Sequence, residues 1–309
     1  MINIKTRWTI FLILSALMCP AAIAQDEPLP EASYAADRDP QSLTAIEYWT
    51  SDRIARAKPF PLPKLSESDF LKLYNDEAAP YDDSNAQIIT DPADITASYG
   101  NPVRPNIRAF PYRIVGKLFF TIGETDYQCS GSYVAEDVIL TAAHCVRDND
   151  GTWAKNIIFR RAYDNGGGQS VRHICLATHG GWVSNNSTRY NWDYAFIKTI
   201  DSSTAGYLGI RKGLPNYSFE SIGYPRNFGS GEYMQKVLGR IGNVSGRIME
   251  MLDNPMSSGS SGGPWVHGKH AFSVNSFEYE TRPDRTYGPV FGDNAENLFR
   301  FAQRGCPKQ

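Results

Sequence analysis

Val138-Ile139-Leu140-Thr141-Ala142-Ala143-His144-Cys145 is the stretch on which the reading of this chain turns. Val138 to Thr141 is a short apolar, β-branched run of the kind that makes a buried strand. Two alanines then take up little room, so the strand hands a histidine from rigid backbone into a turn. A lone histidine is usually an ordinary surface or core residue. Small residues before His144 and cysteines nearby favour a working base instead. His173, His179, His267 and His270 have no such setting, and the last two read as hairpin surface.

Two other stretches answer to the first. Asn191-Trp192-Asp193-Tyr194-Ala195-Phe196 brings Asp193 to the mouth of an apolar strand, whereas Asp148, Asp150, Asp164 and Asp201 lie in turn-like composition. Gly259-Ser260-Ser261-Gly262-Gly263-Pro264 offers a hydroxyl in a glycine-rich turn, where backbone N–H groups can come close to a carbonyl. Ser257, Ser258 and Ser260 crowd the same loop, but Ser261 alone stands directly before Gly-Gly. A hydroxyl becomes a nucleophile when a base takes its proton, an acid holds that base in one tautomer, and donors meet the oxyanion. Ser261, His144 and Asp193 fit those three roles, with the N–H groups of Gly259 and Ser261 as oxyanion donors.

The remainder of the chain supplies context. Lys5 and Arg7 precede an apolar run from Trp8 to Met18 and small residues ending at Ala24, which reads as a signal peptide over 1–24 cut before Gln25. The run falls short of the ~20 apolar residues of a membrane helix, so the expected protein is secreted, or periplasmic where the host has an outer membrane. A lipoprotein cut at Cys19 lacks the small residue beside the cysteine. Residues 25–110 are rich in proline, alanine and acids, with PLP at 28–30 and 61–63 and the string KPFPLPK, and read as a weakly structured propeptide. Helical spacing appears there over Leu43–Arg56 and Ser66–Tyr74, the latter with Ser66 as cap and Asp69 three positions on.

From residue 111 to 309 the pattern is short apolar or alternating runs separated by glycine, asparagine and aspartate clusters, an all-β spacing. Asn294 to Gln303 has helical spacing and stops at Gly305. A net charge of −2 gives no basic footprint for nucleic acid and no polybasic membrane patch. Of five cysteines Cys19 leaves with the signal peptide, and Cys129, Cys145, Cys175 and Cys306 remain, an even set suited to two disulfides in any of three pairings. The metal-ligand spacings CxxC and HxxxH are absent from the sequence, and DNDG at Asp148–Gly151 lacks the acids of a calcium loop and reads as a hairpin turn. Neither metal nor cofactor is expected. NxS/T sequons stand at Asn185, Asn186, Asn216 and Asn243.

TAAHC, DYAFIK and SGGP, in the order His, Asp, Ser, resemble the trypsin-like serine protease superfamily. IVGKLFF, CSGSYV and VILTAAHCV resemble its bacterial glutamyl-endopeptidase-like branch, and the likeness runs from Ile114 to Ser276. The resemblance implies two six-stranded antiparallel β-barrels with the triad between them. It also implies cleavage of protein or peptide substrates through an acyl-enzyme. It pairs Cys129 with Cys145, leaving Cys175 with Cys306 to pin the C-terminal helix to the first barrel or its linker. Outside the resemblance, residues 25–110 are expected to act as the enzyme's own inhibitor, with a flexible spacer as the alternative, and the enzyme is expected to be a monomer.

Departures from the pattern carry information. Arg113-Ile114-Val115-Gly116 resembles a trypsin-type activation cut, but the residue before Ser261 is Ser260, not the acid a freed ammonium would need, so Ile114–Ile122 reads as a strand. Pro255 stands six residues before Ser261, where trypsins carry aspartate, and Asn275 or Ser276 stands where glutamyl endopeptidases carry histidine. These three are the candidate substrate-binding residues and point to a neutral or hydrogen-bonding side chain.

The rival readings are a serine esterase and an inactive protease-fold binding protein. GSSGG also fits a GxSxG elbow, but an esterase needs a histidine after its acid, and the last histidine, His270, precedes Asp284 and Asp293.

Overall fold

The computed structural model describes residues 34–37, 44–75, 99–184, 186–215 and 218–308. The signal peptide, Cys19, Leu43 and the sequons at Asn185 and Asn216 lie outside them. The N-terminal part runs β1 (Tyr34–Asp37), α1 (Ala45–Tyr48), α2 (Ser51–Arg56), β2 (Lys58–Pro59), β3 (Lys64–Leu65) and α3 (Glu67–Asn75). Seven strands follow: β4 (Val115–Ile122), β5 (Thr125–Ala135), β6 (Val138–Thr141), β7 (Lys155–Arg161), β8 (Gln169–Val171), β9 (His173–His179) and β10 (Ala195–Thr199). Eight more are β11 (Gly209–Ile210), β12 (Ser218–Gly223), β13 (Gln235–Ser245), β14 (Ile248–Leu252), β15 (Pro264–His267), β16 (His270–Val274), β17 (Phe277–Tyr279) and β18 (Arg282–Pro289), and α4 (Asp293–Gln303) ends the chain.

These strands form two curled sheets. The first is ordered β1-β9-β10-β6-β5-β4-β7-β8, with β2 also on β5; the second is ordered β11-β16-β15-β12-β13-β14-β18-β17-β3. With β1, β2 and β3 set aside, each sheet keeps six strands of four or more residues, the expected pair of chymotrypsin-like half-barrels. Curling needs close backbone approaches, and Gly116 in β4 supplies one: a Cβ there would lie 2.3 Å from the Arg160 carbonyl. β6 and all but one residue of β10 are buried, which is why VILT and AFIKT read as near-continuous apolar runs. A large apolar cluster runs through the first sheet and on to the second, and a smaller one of Phe219, Met249, Met251, Trp265, Phe272 and Val290 fills the second sheet.

The region expected to be weakly structured is folded over 44–75. Its apolar residues are sparse but well placed: Trp49, Ile54, Leu62, Leu65 and Leu73 are each buried, and a buried side chain of this size contributes roughly 1.5–3 kcal/mol. Lacking a core of its own, the segment borrows the body's. Trp49 packs on Phe119 with ring centroids 5.3 Å apart and donates its indole N–H to the Asn156 carbonyl. Arg53 and Tyr48 hold the Asp126 carboxylate at 2.9 and 2.7 Å. The expected Leu43–Arg56 helix is broken after Tyr48, because the Thr50 hydroxyl accepts from Arg53 N–H and starts α2. Ser66 caps α3 as its spacing suggested, accepting from Asp69 N–H at 3.2 Å.

Both disulfides are present, Cys129–Cys145 and Cys175–Cys306. The second ties the end of α4 to β9, so the C-terminal helix is fastened to the first sheet although it follows the second. Ala295, Leu298, Phe301 and Ala302 are its buried face, and Gly305, at φ +79°, turns the chain after it.

Candidate active site

β6 delivers His144 as its sequence predicts. The strand ends at Thr141, and Ala143–Cys145 is a single 3-10 turn in which all three residues are buried. Cys145 is bonded to Cys129 of β5, which fixes that turn to the neighbouring strand. Asp193 lies two residues before β10, which pairs antiparallel with β6, and its side chain is fully buried. The His144 imidazole Nδ1 is 2.8 Å from Asp193 Oδ2, and His144 N–H donates to Oδ1 at 3.0 Å. Ser276 Oγ donates to Oδ2 at 2.5 Å. A carboxylate removed from water is costly unless hydrogen-bonded, and these three contacts are what allow Asp193 to sit there. With Nδ1 at the carboxylate, Nε2 is the nitrogen left to act as base.

The serine loop of residues 259–263 joins the two sheets. Ser261 C=O accepts from Ser130 N–H of β5 at 2.8 Å, and Ser130 Oγ donates to the Gly259 carbonyl at 2.8 Å while accepting from Tyr224 N–H. Glycine is required here for two different reasons. Gly259 has φ +89°, and a Cβ at Gly262, which has φ +76°, would lie 2.2 Å from Thr141 Oγ1 at the end of β6. Gly262 therefore lets the serine loop press against the strand that carries the histidine. Ser261 Oγ, Ser260 Oγ and His144 Nε2 are buried atoms without a hydrogen-bond partner among the described residues. Unpartnered buried polar atoms are rare outside working sites.

The expected pocket residues are placed differently. Asn275 is fully buried and its side chain is spent on the protein: Oδ1 accepts from Trp265 Nε1 at 2.7 Å, Asn254 Nδ2 at 3.0 Å and Ser221 Oγ at 3.1 Å, and Nδ2 donates to the Ser260 carbonyl at 3.2 Å. Ser276 is turned to Asp193. The expectation that these two side chains line a substrate pocket is corrected by those contacts, since a polar group in a barrel interior takes partners there before it can serve a ligand. Pro255 keeps partial exposure, and its carbonyl accepts from Asn227 Nδ2. The roles of Ser276 and Ser130 were not legible beforehand, because nothing in the sequence marks a serine that bonds across two sheets.

Residues 58–65, ahead of the barrels in the chain, lie against this site. Phe60 stacks on the His144 imidazole with centroids 5.6 Å apart and planes at 21°. The Phe60 carbonyl accepts from Gly259 N–H at 3.0 Å, so one of the two expected oxyanion donors already has a carbonyl in front of it. The string KPFPLPK was the available signal, visible as a composition and not as a ligand.

A metal finds no fit at this site. Cys129, His144 and Cys145 are the one grouping of metal-binding residue types among the described residues. The two sulfurs, however, are bonded to each other and His144 Nδ1 is held by Asp193, so the set has no thiolate to offer. At DNDG the Asp148 and Asp150 carboxylates accept from Asn149 and Thr152 N–H and cap their own turn.

Comparison with known proteins bears on the fold that carries these residues. Residues 129–272 match the family described as trypsin-like peptidase domain. A solved structure of the protease Anisep from Arthrobacter nicotinovorans is 27% identical, with 62% of this chain and 95% of that one covered at a TM-score of 0.54. A Glu endopeptidase solved with MPD, 19% identical over 66% of this chain and 96% of its own, shares the fold at a TM-score of 0.57. A curated Bacillus subtilis (strain 168) protein named extracellular metalloprotease is 31% identical over 112 residues, 33% of this chain, and the match spans only 34% of that protein's length. Residues 129–272 are a trypsin-like peptidase domain, carried on a chymotrypsin-like fold.

Proposed function

We propose that the chain is a secreted serine endopeptidase in which Ser261 is the nucleophile, His144 the general base and Asp193 the group that orients it. Ser261 Oγ gives its proton to His144 Nε2 as it bonds to the carbonyl carbon, and the N–H groups of Gly259 and Ser261 receive the oxyanion. Collapse expels the amine, protonated by His144, and water releases the acyl group by the same route. The carrying observation is the buried His144–Asp193 pair at 2.8 Å, which commits Nδ1 and leaves Nε2 without a partner.

The mature enzyme begins after the signal peptide and the propeptide of 25–110 have been removed, and that propeptide is its inhibitor. Phe60 over His144 supports this reading. Pro255, which keeps partial exposure, brings no charge to the pocket, which favours a neutral side chain before the scissile bond. The two solved proteases and the extracellular name of the Bacillus relative fit the same assignment. The test is labelling of the processed chain with a fluorophosphonate probe, with hydrolysis of casein alongside. Probe on Ser261 and casein turnover, both lost in Ser261→Ala, are expected; a processed chain that takes no probe and cuts nothing is an inactive homologue.

A further inference from the structure

The direction in which residues 58–65 cross the site is fixed at both ends. Lys58 and Pro59 lie opposite Tyr127 and Gln128 of β5 in parallel register. Phe60 N–H donates to the Gln128 carbonyl at 2.9 Å. Further on, the Pro63 carbonyl accepts from Glu278 N–H at 2.9 Å, Lys64 and Leu65 lie opposite Glu278 and Tyr279 of β17, again parallel, and Lys64 Nζ is 3.0 Å from Glu278 Oε1. Between these anchors Pro61 and Pro63 have no N–H to pair, and Leu62 is 2% exposed. The segment therefore passes from the first sheet to the second.

A productive substrate has to run the other way. Its acyl side is held by the specificity pocket, and its leaving amine must reach the histidine. The expected pocket position Pro255 belongs to the second sheet's part of the chain, and His144 belongs to the first. Residues before the scissile bond thus lie along β17 and residues after it along β5. We propose that Lys58–Leu65 is threaded backwards through the cleft as an uncleavable internal inhibitor. The inhibitory ligand of this site is then a proline-bracketed peptide running parallel to both β5 and β17. This rests on the peptidase reading above and adds to it the direction of the ligand.

The chemistry follows from the direction. The carbonyl at Gly259 N–H belongs to Phe60, and its amide nitrogen is that of Pro61, which heads toward β17 and away from His144. Addition of Ser261 Oγ there would leave the nitrogen without a proton donor, so the C–O bond just formed would break again and the C–N bond would survive. The Phe60 ring over His144 adds a cover.

Direction can be read without catalysis. In full-length Ser261→Ala chains, cysteine pairs at Lys58 with Tyr127 and at Lys64 with Glu278 should join through a short bismaleimide. The exchanged pairs, Lys58 with Glu278 and Lys64 with Tyr127, should join at least tenfold less. The exchanged pattern overturns the proposal. Full-length Pro61→Ala removes the proline that could block cutting by itself; it should gain no new terminus at residue 61. A terminus there that disappears with Ser261→Ala also overturns it. Phe60→Ala/Leu62→Ala should weaken the cover and raise probe labelling of Ser261. Should that chain take no probe while the cross-links form as expected, the direction stands and the peptidase reading is the one that fails.

Discussion

Replacing Asn275 with leucine tests the corrected role of that residue. Leucine keeps the branched heavy-atom outline but removes one acceptor that takes three donors and one donor that serves the Ser260 carbonyl. Asn254 Nδ2 can fall back on Met251 Sδ at 3.4 Å, Ser221 Oγ on Met256 Sδ at 4.0 Å, and the Ser260 carbonyl keeps Gly263 N–H at 2.9 Å. Trp265 Nε1 has no second partner among the described residues. A buried donor left unmade costs about 1–3 kcal/mol, and a bond exchanged for a weaker one costs less. The expected sum is about 3–5 kcal/mol, a large share of the roughly 5–15 kcal/mol of a typical domain. Urea unfolding followed by tryptophan fluorescence, in a Ser261→Ala background to prevent self-digestion, reads it directly. Stability within 1 kcal/mol of the parent would refute the reasoning, above all if the active variant showed a raised KM, because the side chain would then face substrate.

Asp193→Asn should lower kcat by about 10³–10⁴ with KM and stability little changed, measured on the processed chain; a loss under tenfold would mean that Asp193 does not set the imidazole tautomer. Replacing both Cys175 and Cys306 with serine opens a link between residues 131 positions apart and should cost on the order of 4–5 kcal/mol in the chain-entropy account. Amide exchange should then show α4 loosening first, and unchanged exchange there would count against its dependence on the bridge. His179 is held down to about 4 from the ordinary 6.5, first by burial and then by the charge of Arg247. Its folded pKa lies below its unfolded one, so the unfolded chain takes the proton first. Stability from this group is complete above about 6.5 and falls as pH drops toward 4, by up to about 3 kcal/mol. His179→Gln should flatten that slope in urea midpoints taken between pH 7 and 4.5, and an unaltered slope would put the titration elsewhere.

Legibility followed the strength of local pattern. β6 at Val138–Thr141 coincides with the apolar run read from sequence, because buried strands must be apolar wherever they lie. β18, Arg282–Pro289, carries no such apolar run, since its first three residues are exposed and only its second half is buried. β3 is two residues long and exists only because it pairs with β17, itself three residues long and held on its other side by β18, which no periodicity can report. His144, Asp193 and Ser261 stood out because each needs a distinctive neighbourhood of small residues or strand mouth. Ser130, Ser276 and Phe60 have their positions from contacts between parts of the chain 83 or more residues apart, and a pairing of that span leaves no mark on either partner's own sequence.

The three N-terminal strands have a consequence for solubility. β1 lies along β9, β2 along β5 and β3 along β17, so each covers backbone N–H and C=O groups that an uncovered strand would offer to any passing chain. Removing the N-terminal segment bares those three stretches at once. The freed enzyme should be the more self-associating form in concentrated solution, and light scattering should rise on processing and fall again when an extended peptide is supplied to occupy the bared edges.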